Sequence, residues 1–249
     1  MTTVIEEPQA ELQESVEESQ GWLVFEYAPV SLFSLKSSRA TSTAGKTLLT
    51  PTPYAVKMAF LDAALRHGLT KDPEGLVRWL AKATLRIGVP RHACVTGTIQ
   101  RVRQEARAPG EASPYRTTIA MREFVHYSGI LRLAFDLKTC ADDFIALLLE
   151  AAPSINYLGK RGSFVQYIHG ARRTDLGAGF TEPADEARAP QAGQRMFLDD
   201  FGTKASFSAL NTFLQTELRR GMDRRFVDTI VPLIVYSSGP AFVHYAAKE

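Results

Sequence analysis

Trp22 to Tyr27 (WLVFEY) sets aromatic and aliphatic residues side by side without a breaker, and reads as the opening strand of a sheet. The segments after it decide the kind of sheet. Ala28 to Thr52 is rich in Ser and Thr, carries Lys36, Arg39 and Lys46 without an acidic residue, and is too long for a simple turn. Pro51 and Pro53 then introduce a helix over Tyr54 to His67, stopped by Gly68, and the spacing predicts a second helix over Pro73 to Arg86. His92 to Arg107 (HACVTGTIQRVRQEAR) reads as strand, Ala108 to Pro114 as an exposed hairpin tip, and Tyr115 to Leu137 as the returning strand, with a break at Ser128 and Gly129. Ala141 to Ala151 predicts a helix ended by Pro153, and Ile155 to Leu158 begins another strand. The order strand, helix, strand, strand, helix, strand is that of an α+β, ferredoxin-like fold, the arrangement also used by RNA-recognition domains.

Outward from that unit, residues 170 to 195, rich in Gly, Ala, Pro, Arg and Asp, read as a surface loop. Residues 196 to 249 read as a C-terminal β-rich extension, with strands at Leu233 to Tyr236 and Phe242 to Tyr245 and a helical stretch at Ser208 to Arg220. The expected division is therefore an acidic, disordered leader over residues 1 to 20, a ferredoxin-like domain over 21 to 169, the loop, and the extension. No internal repeat is visible.

The chain has 249 residues, enough for a full core, and an ordinary hydrophobic fraction of 45%. Its net charge of +2 hides an asymmetry: residues 1 to 20 hold six Glu and no Lys or Arg, leaving +8 for residues 21 to 249. A basic body suits a phosphate-rich partner. No apolar run approaches the roughly 18 residues that cross a bilayer, and the first residues lack the pattern of a signal peptide, so the expectation is a cytoplasmic chain with no membrane partner. Cys94 and Cys140 stand outside any zinc-binding spacing and read as two buried thiols. The five histidines show no HxH or HExxH pattern, and neither a metal nor a cofactor is expected.

Ala40 to Thr47 (ATSTAGKT) has the outline of a phosphate-cradling loop, yet Pro51 and Pro53 leave no room for the helix such a loop must open onto. Lys46 then reads as a loop cation. Lys36, Arg39, Lys46 and Lys57 form a run of four cations without anions that can neutralise a bent single strand. Strand alternation puts Arg101 and Arg103 on one face of the hairpin, with Arg107, Arg116, Arg122 and Arg132 further along it, a pattern suited to phosphate contacts and to stacking on unpaired bases. His126, Tyr127 and Lys138 could supply the acid, base and cation of metal-free RNA cleavage through a ribose 2′-hydroxyl, but adjacent strand residues point to opposite faces.

Three segments together resemble the CRISPR-associated subunit family numbered five, of the RAMP superfamily: Thr50-Pro51-Thr52-Pro53-Tyr54 ahead of an Ala-rich helix, Arg122-Glu123-Phe124-Val125 after a hairpin, and Ile155-Asn156-Tyr157-Leu158-Gly159-Lys160-Arg161. The resemblance spans roughly residues 22 to 168. It implies a non-catalytic subunit of a type I Cascade complex that caps the 5′ handle of the guide RNA (crRNA) and links the backbone subunit to the large subunit, for recognition of target DNA within the assembled complex. The hairpin thumb would be Arg101 to Arg116. RNA contacts would come from Lys36, Arg39, Lys46, Arg101, Arg103, Arg122, Lys160 and Arg161. Two alternatives stay open: a metal-independent endoribonuclease that processes precursor guide RNA, and a stand-alone single-strand RNA-binding protein.

Overall fold

The computed structural model describes residues 21–37, 44–105, 115–185, 192–211, 214 and 218–247. The leader, Arg39, Arg107 and the hairpin tip lie outside the described residues.

β1 (Trp22–Pro29) is the centre of a four-stranded antiparallel sheet. It pairs on one side with β6 (Leu131–Asp136) and on the other with β7 (Val165–Arg173), and β6 pairs in turn with β3 (Leu85–Gly88). Between β1 and β3 run helices α1 (Pro53–Arg66) and α2 (Pro73–Lys82); between β6 and β7 lies α3 (Asp142–Ala151). The spatial order β3, β6, β1, β7, with helices after the first and third sheet strands, is the ferredoxin-like arrangement.

The aromatic run predicts this central place. Leu23, Phe25 and Tyr27 point to the helices and are buried, with the Phe25 ring 5.4 Å from Phe60 of α1 and 6.3 Å from Phe135 of β6. Val24 faces the other side, against Ala134 and Phe180. Each such side chain contributes about 1.5–3 kcal/mol by leaving water. Thr52 caps α1, its hydroxyl accepting from the Ala55 N–H at 3.1 Å, and Pro53 occupies the first turn, where a missing N–H costs nothing.

Several expectations are corrected. α2 stops at Lys82, and Leu85 to Gly88 forms the second strand of the ferredoxin unit, the place expected for His92 to Arg107. The hairpin strands β4 (His92–Glu105) and β5 (Tyr115–Ser128) are instead an insertion between β3 and β6. They belong to a second sheet, ordered β11 (Leu233–Gly239), β12 (Phe242–Ala247), β4, β5 and the short β2 (Ala44–Gly45). The break at Ser128 and Gly129 is present: Gly129 has φ +113°, a conformation costly for other residues, and the chain changes sheet there. Ile155 to Leu158 contributes one bridge, Tyr157 to Phe164, and the edge strand β7 comes later. Residues 170 to 195 are not one surface loop. β7 continues to Arg173, buried Phe180 covers the outer side of the first sheet, and β8 (Glu182–Pro183) comes next. β8 joins β10 (Arg224–Val231) and β9 (Gln194–Phe201) in a three-stranded sheet. The helix expected over Ser208 to Arg220 is a single turn, α4 (Phe207–Leu210), among the described residues. Cys94 and Cys140 are half-buried free thiols rather than fully buried ones.

No helix among the described residues is long and apolar enough to cross a membrane.

Candidate nucleic-acid interface

A cleft of about 520 Å3 opens where the segment after β1, one face of α1, the turn before β7 and the three-stranded sheet meet. Lys36 and Lys160, far apart in the chain, both line it. The fold brings each there by local means. Phe33 exchanges two backbone hydrogen bonds of 2.8 Å with Val125, which ties the chain after β1 to β5, and Lys36 bridges Thr47 three residues later. On the other wall, the Ser163 N–H donates to the Lys160 carbonyl at 3.0 Å, closing a tight turn that presents Lys160 and Arg161. Gly159 starts that turn at φ +76°, in the left-handed region, and itself lines the cleft. The Ser31 hydroxyl holds the turn down, donating to the Gly162 carbonyl at 2.6 Å and accepting from the Phe164 N–H at 2.7 Å.

The floor is built from residues that sequence reasoning did not assign. Tyr54, at the start of α1, lies beneath the Arg224 guanidinium, 4.4 Å from ring centroid to the central carbon, and meets Phe201 edge-on at 5.3 Å. Arg224 Nη2 donates to Asp199 at 2.6 Å, whereas its Nε is buried and makes no hydrogen bond. Burial pushes the Tyr54 phenol above its ordinary value, while the Arg224 charge pulls the other way. Asp62, at the rim, is taken up by Arg66 at 2.8 Å. Both cleft carboxylates are thus paired, and the positive charge of Lys36 and Lys160 is left to face the opening. An unpaired nucleotide fits this chemistry: cations for the phosphate, an aromatic and guanidinium stack beside the base.

The remaining expected contacts divide into three groups. Arg122 lies beside the cleft: its guanidinium crosses Gly45, where a Cβ would stand 2.6 Å from Nη1 and 3.6 Å from Lys36 Cδ, so the glycine leaves room for the guanidinium next to Lys36. Lys46 and Arg161 are exposed, each beside a wall of the cleft in sequence. Arg101 and Arg103 are exposed on the hairpin, opposite Ile119 and Thr117, on the face that also carries the exposed side chains of Ile99, Ile119 and Met121. That face is mixed, cationic and apolar, and is separate from the cleft lining. Arg116 and Arg132 are half-buried, and Arg132 is held by Glu26 at 3.0 Å.

Lys57 departs from the sequence reading. It is no loop cation: it is fully buried beneath α1, 2.8 Å from Asp200, in an ion pair without hydrogen-bond geometry. A window free of acids around Lys57 could not reveal a carboxylate supplied from β9.

His126, Tyr127 and Lys138 do not converge. His126 is exposed opposite Cys94, whereas Tyr127 turns into the core, its ring 5.1 Å from Phe33 and its hydroxyl without a hydrogen bond. Lys138 sits in a 3-10 turn after β6. His92 and His244 meet at 3.2 Å on the outer face of the five-stranded sheet, but no group of three or more His, Cys, Asp or Glu among the described residues is placed to hold a metal ion.

No family model and no curated protein matches the chain. Among solved structures it is similar to a CRISPR protein from Archaeoglobus fulgidus, with a TM-score of 0.45 and 14% identity over 92% of each chain. It is also similar to a chain of a CRISPR RNA-guided surveillance complex, with a TM-score of 0.44 and 14% identity over 84% of this chain and 89% of that one. Likenesses at this level carry no function across.

Proposed function

We propose that this chain is a non-catalytic subunit of a type I CRISPR Cascade complex, in which the cleft holds the 5′ handle of the guide RNA and the hairpin docks on the neighbouring backbone subunit. The observation that supports this most is the meeting of Lys36 and Lys160 over the Tyr54 and Arg224 stack. Lys160 comes from a segment that carries the sequence resemblance, and Lys36 from the loop that leads into another. Arg122 and Lys46 extend the positive rim, and Arg39 and Arg161 belong to the same two stretches as the lysines. Arg101 and Arg103 serve the hairpin contact, toward RNA or subunit. The large subunit and target DNA are the further partners in this reading.

Binding is preferred to metal-independent cleavage because His126 and Tyr127 occupy opposite faces of β5. Repeat-derived RNA incubated with the pure chain in EDTA is expected to stay intact; specific cleavage that disappears in His126→Ala would overturn the non-catalytic role. The cleft is tested by a Lys36→Glu/Lys160→Glu variant in a binding assay with RNA bearing the handle. Affinity is expected to fall at least about tenfold, with a salt dependence shallower by about 0.7 for each phosphate no longer neutralised. Unchanged affinity and slope would remove the cleft from the RNA path.

A further inference from the structure

Strand alternation gives the three-stranded sheet a second site. Asp199 and Arg224 serve the cleft, while Asp200 and Arg225, directly paired neighbours on β9 and β10, line a separate pocket of about 120 Å3. The pocket lies between the first residue of α1, the end of α2, the start of β3 and the β8–β10 edge. Its charged walls are Lys82, Arg86, Arg225 and Asp200, and Thr84, Thr181 and Thr229 complete them. Three cationic side chains from three elements thus line a pocket that holds one carboxylate.

That carboxylate is already committed. Asp200 Oδ1 stands 2.8 Å from Lys57 Nζ and accepts from the Phe201 N–H at 2.8 Å, and Oδ2 accepts from Arg225 at 3.2 Å. Two cations therefore lean on a single anion, one of them with no exposure to water. Arg225 is half exposed and reaches this pair from the pocket side; like charges leaning on one carboxylate repel one another, and an added anion relieves them. The volume admits about four waters, or one tetrahedral oxyanion. Arginine forks and threonine hydroxyls are the groups that bind phosphate oxygens.

We propose that this pocket binds a single phosphate group through Arg225, Arg86 and Lys82, independently of the cleft. The shared chemistry is a phosphate, either free or at the end of a nucleic acid. Calorimetric titration of the full chain with inorganic phosphate, at constant ionic strength set with chloride, reads it directly. A saturable single site is expected. Arg225→Gln should weaken it about tenfold, since one charge-assisted hydrogen bond to the anion disappears while Lys57 and Asp200 remain a balanced pair. Lys82→Gln, at an exposed helix end, offers a second variant whose folding is not at stake and should also weaken binding. Lys36→Glu/Lys160→Glu should leave phosphate binding unchanged. Competition by a 5′-phosphorylated oligonucleotide but not its 5′-hydroxyl form assigns the phosphate to a nucleic-acid end; competition by neither assigns it to the free ion. No saturable heat beyond chloride, full binding in both pocket variants, or loss in the cleft variant would overturn the assignment.

Discussion

At Tyr127 a phenol is sealed in the core with no partner for its hydroxyl, and burial raises its pKa well above the ordinary value. Removing an unsatisfied buried hydroxyl relieves its desolvation, so Tyr127→Phe is expected to leave stability unchanged or raise it by about 1 kcal/mol in urea unfolding. Tyr27 is also pushed up by burial, and the hydrogen bond its hydroxyl donates to the Ala152 carbonyl at 2.9 Å favours the same protonated form. Above about pH 10 the unfolded chain ionises both phenols while the native protein keeps them protonated. Stability should then fall as pH rises, by about 1.4 kcal/mol per pH unit for each tyrosine, and Tyr127→Phe should remove one share of that slope. Lys57 acts in the opposite sense. Burial first, and Arg225 further, lower its pKa against the pull of Asp200. Just below the ordinary lysine value the unfolded chain therefore holds a proton that the native amine sheds, and stability rises with pH there. Lys57→Ala should abolish that rise and cost about 3 kcal/mol, by leaving a cavity and half-orphaning Asp200. At this scale the sequence shows which residues are cations but not where they go. Lys36 could be picked from its acid-free Ser/Thr-rich stretch and Lys160 from its Leu-Gly-Lys-Arg run, whereas Lys57 and Arg224 owe their places to Asp200, Asp199 and Tyr54, which only the fold brings near.

The hairpin of β4 and β5 is an element whose sequence was legible and whose placement was not. Its alternation and its Pro-Gly tip mark two long strands, but a four-residue strand such as Leu85 to Gly88, running straight on from α2, carries too little pattern to claim the sheet position it fills. β1 was plain for the opposite reason: a short run of large, mostly aromatic and β-branched residues broken only by Glu26 suits a central strand. Beyond Gln100 and Ala120 the hairpin has little to do with the core, since Arg101, Arg103, Thr117 and Ile119 all stand exposed. Replacing Arg101 to Ile119 by Asn-Gly, joining the directly paired Gln100 and Ala120, should therefore close a short hairpin and shift Tm by no more than a few degrees. The same variant should fail to join the backbone subunit in co-purification. A large drop in Tm would place the hairpin in the folding unit instead.

Taken whole, the molecule combines a ferredoxin-like sheet, a five-stranded sheet built on the inserted hairpin and a three-stranded sheet, and the cleft lies where the segment after β1, α1, the turn before β7 and the three-stranded sheet meet. That is why the candidate site was half legible. The lysines and Tyr54 belong to local segments with their own signatures, while Arg224, Asp199 and Phe201 come from a C-terminal sheet whose role no motif announces. RNA binding through Lys36 and Lys160 should weaken steeply as salt rises, whereas the Tyr54 and Arg224 stack should hold its contribution. A Tyr54→Ala variant is thus expected to lose affinity by about 1–3 kcal/mol at every salt concentration, read as parallel lines in a log–log titration. Guide-handle binding itself is decided by sequencing the RNA that co-purifies with the chain from its native host. A discrete population of small RNAs sharing one 5′ repeat fragment is expected; heterogeneous RNA, or none, would contradict the handle-binding role.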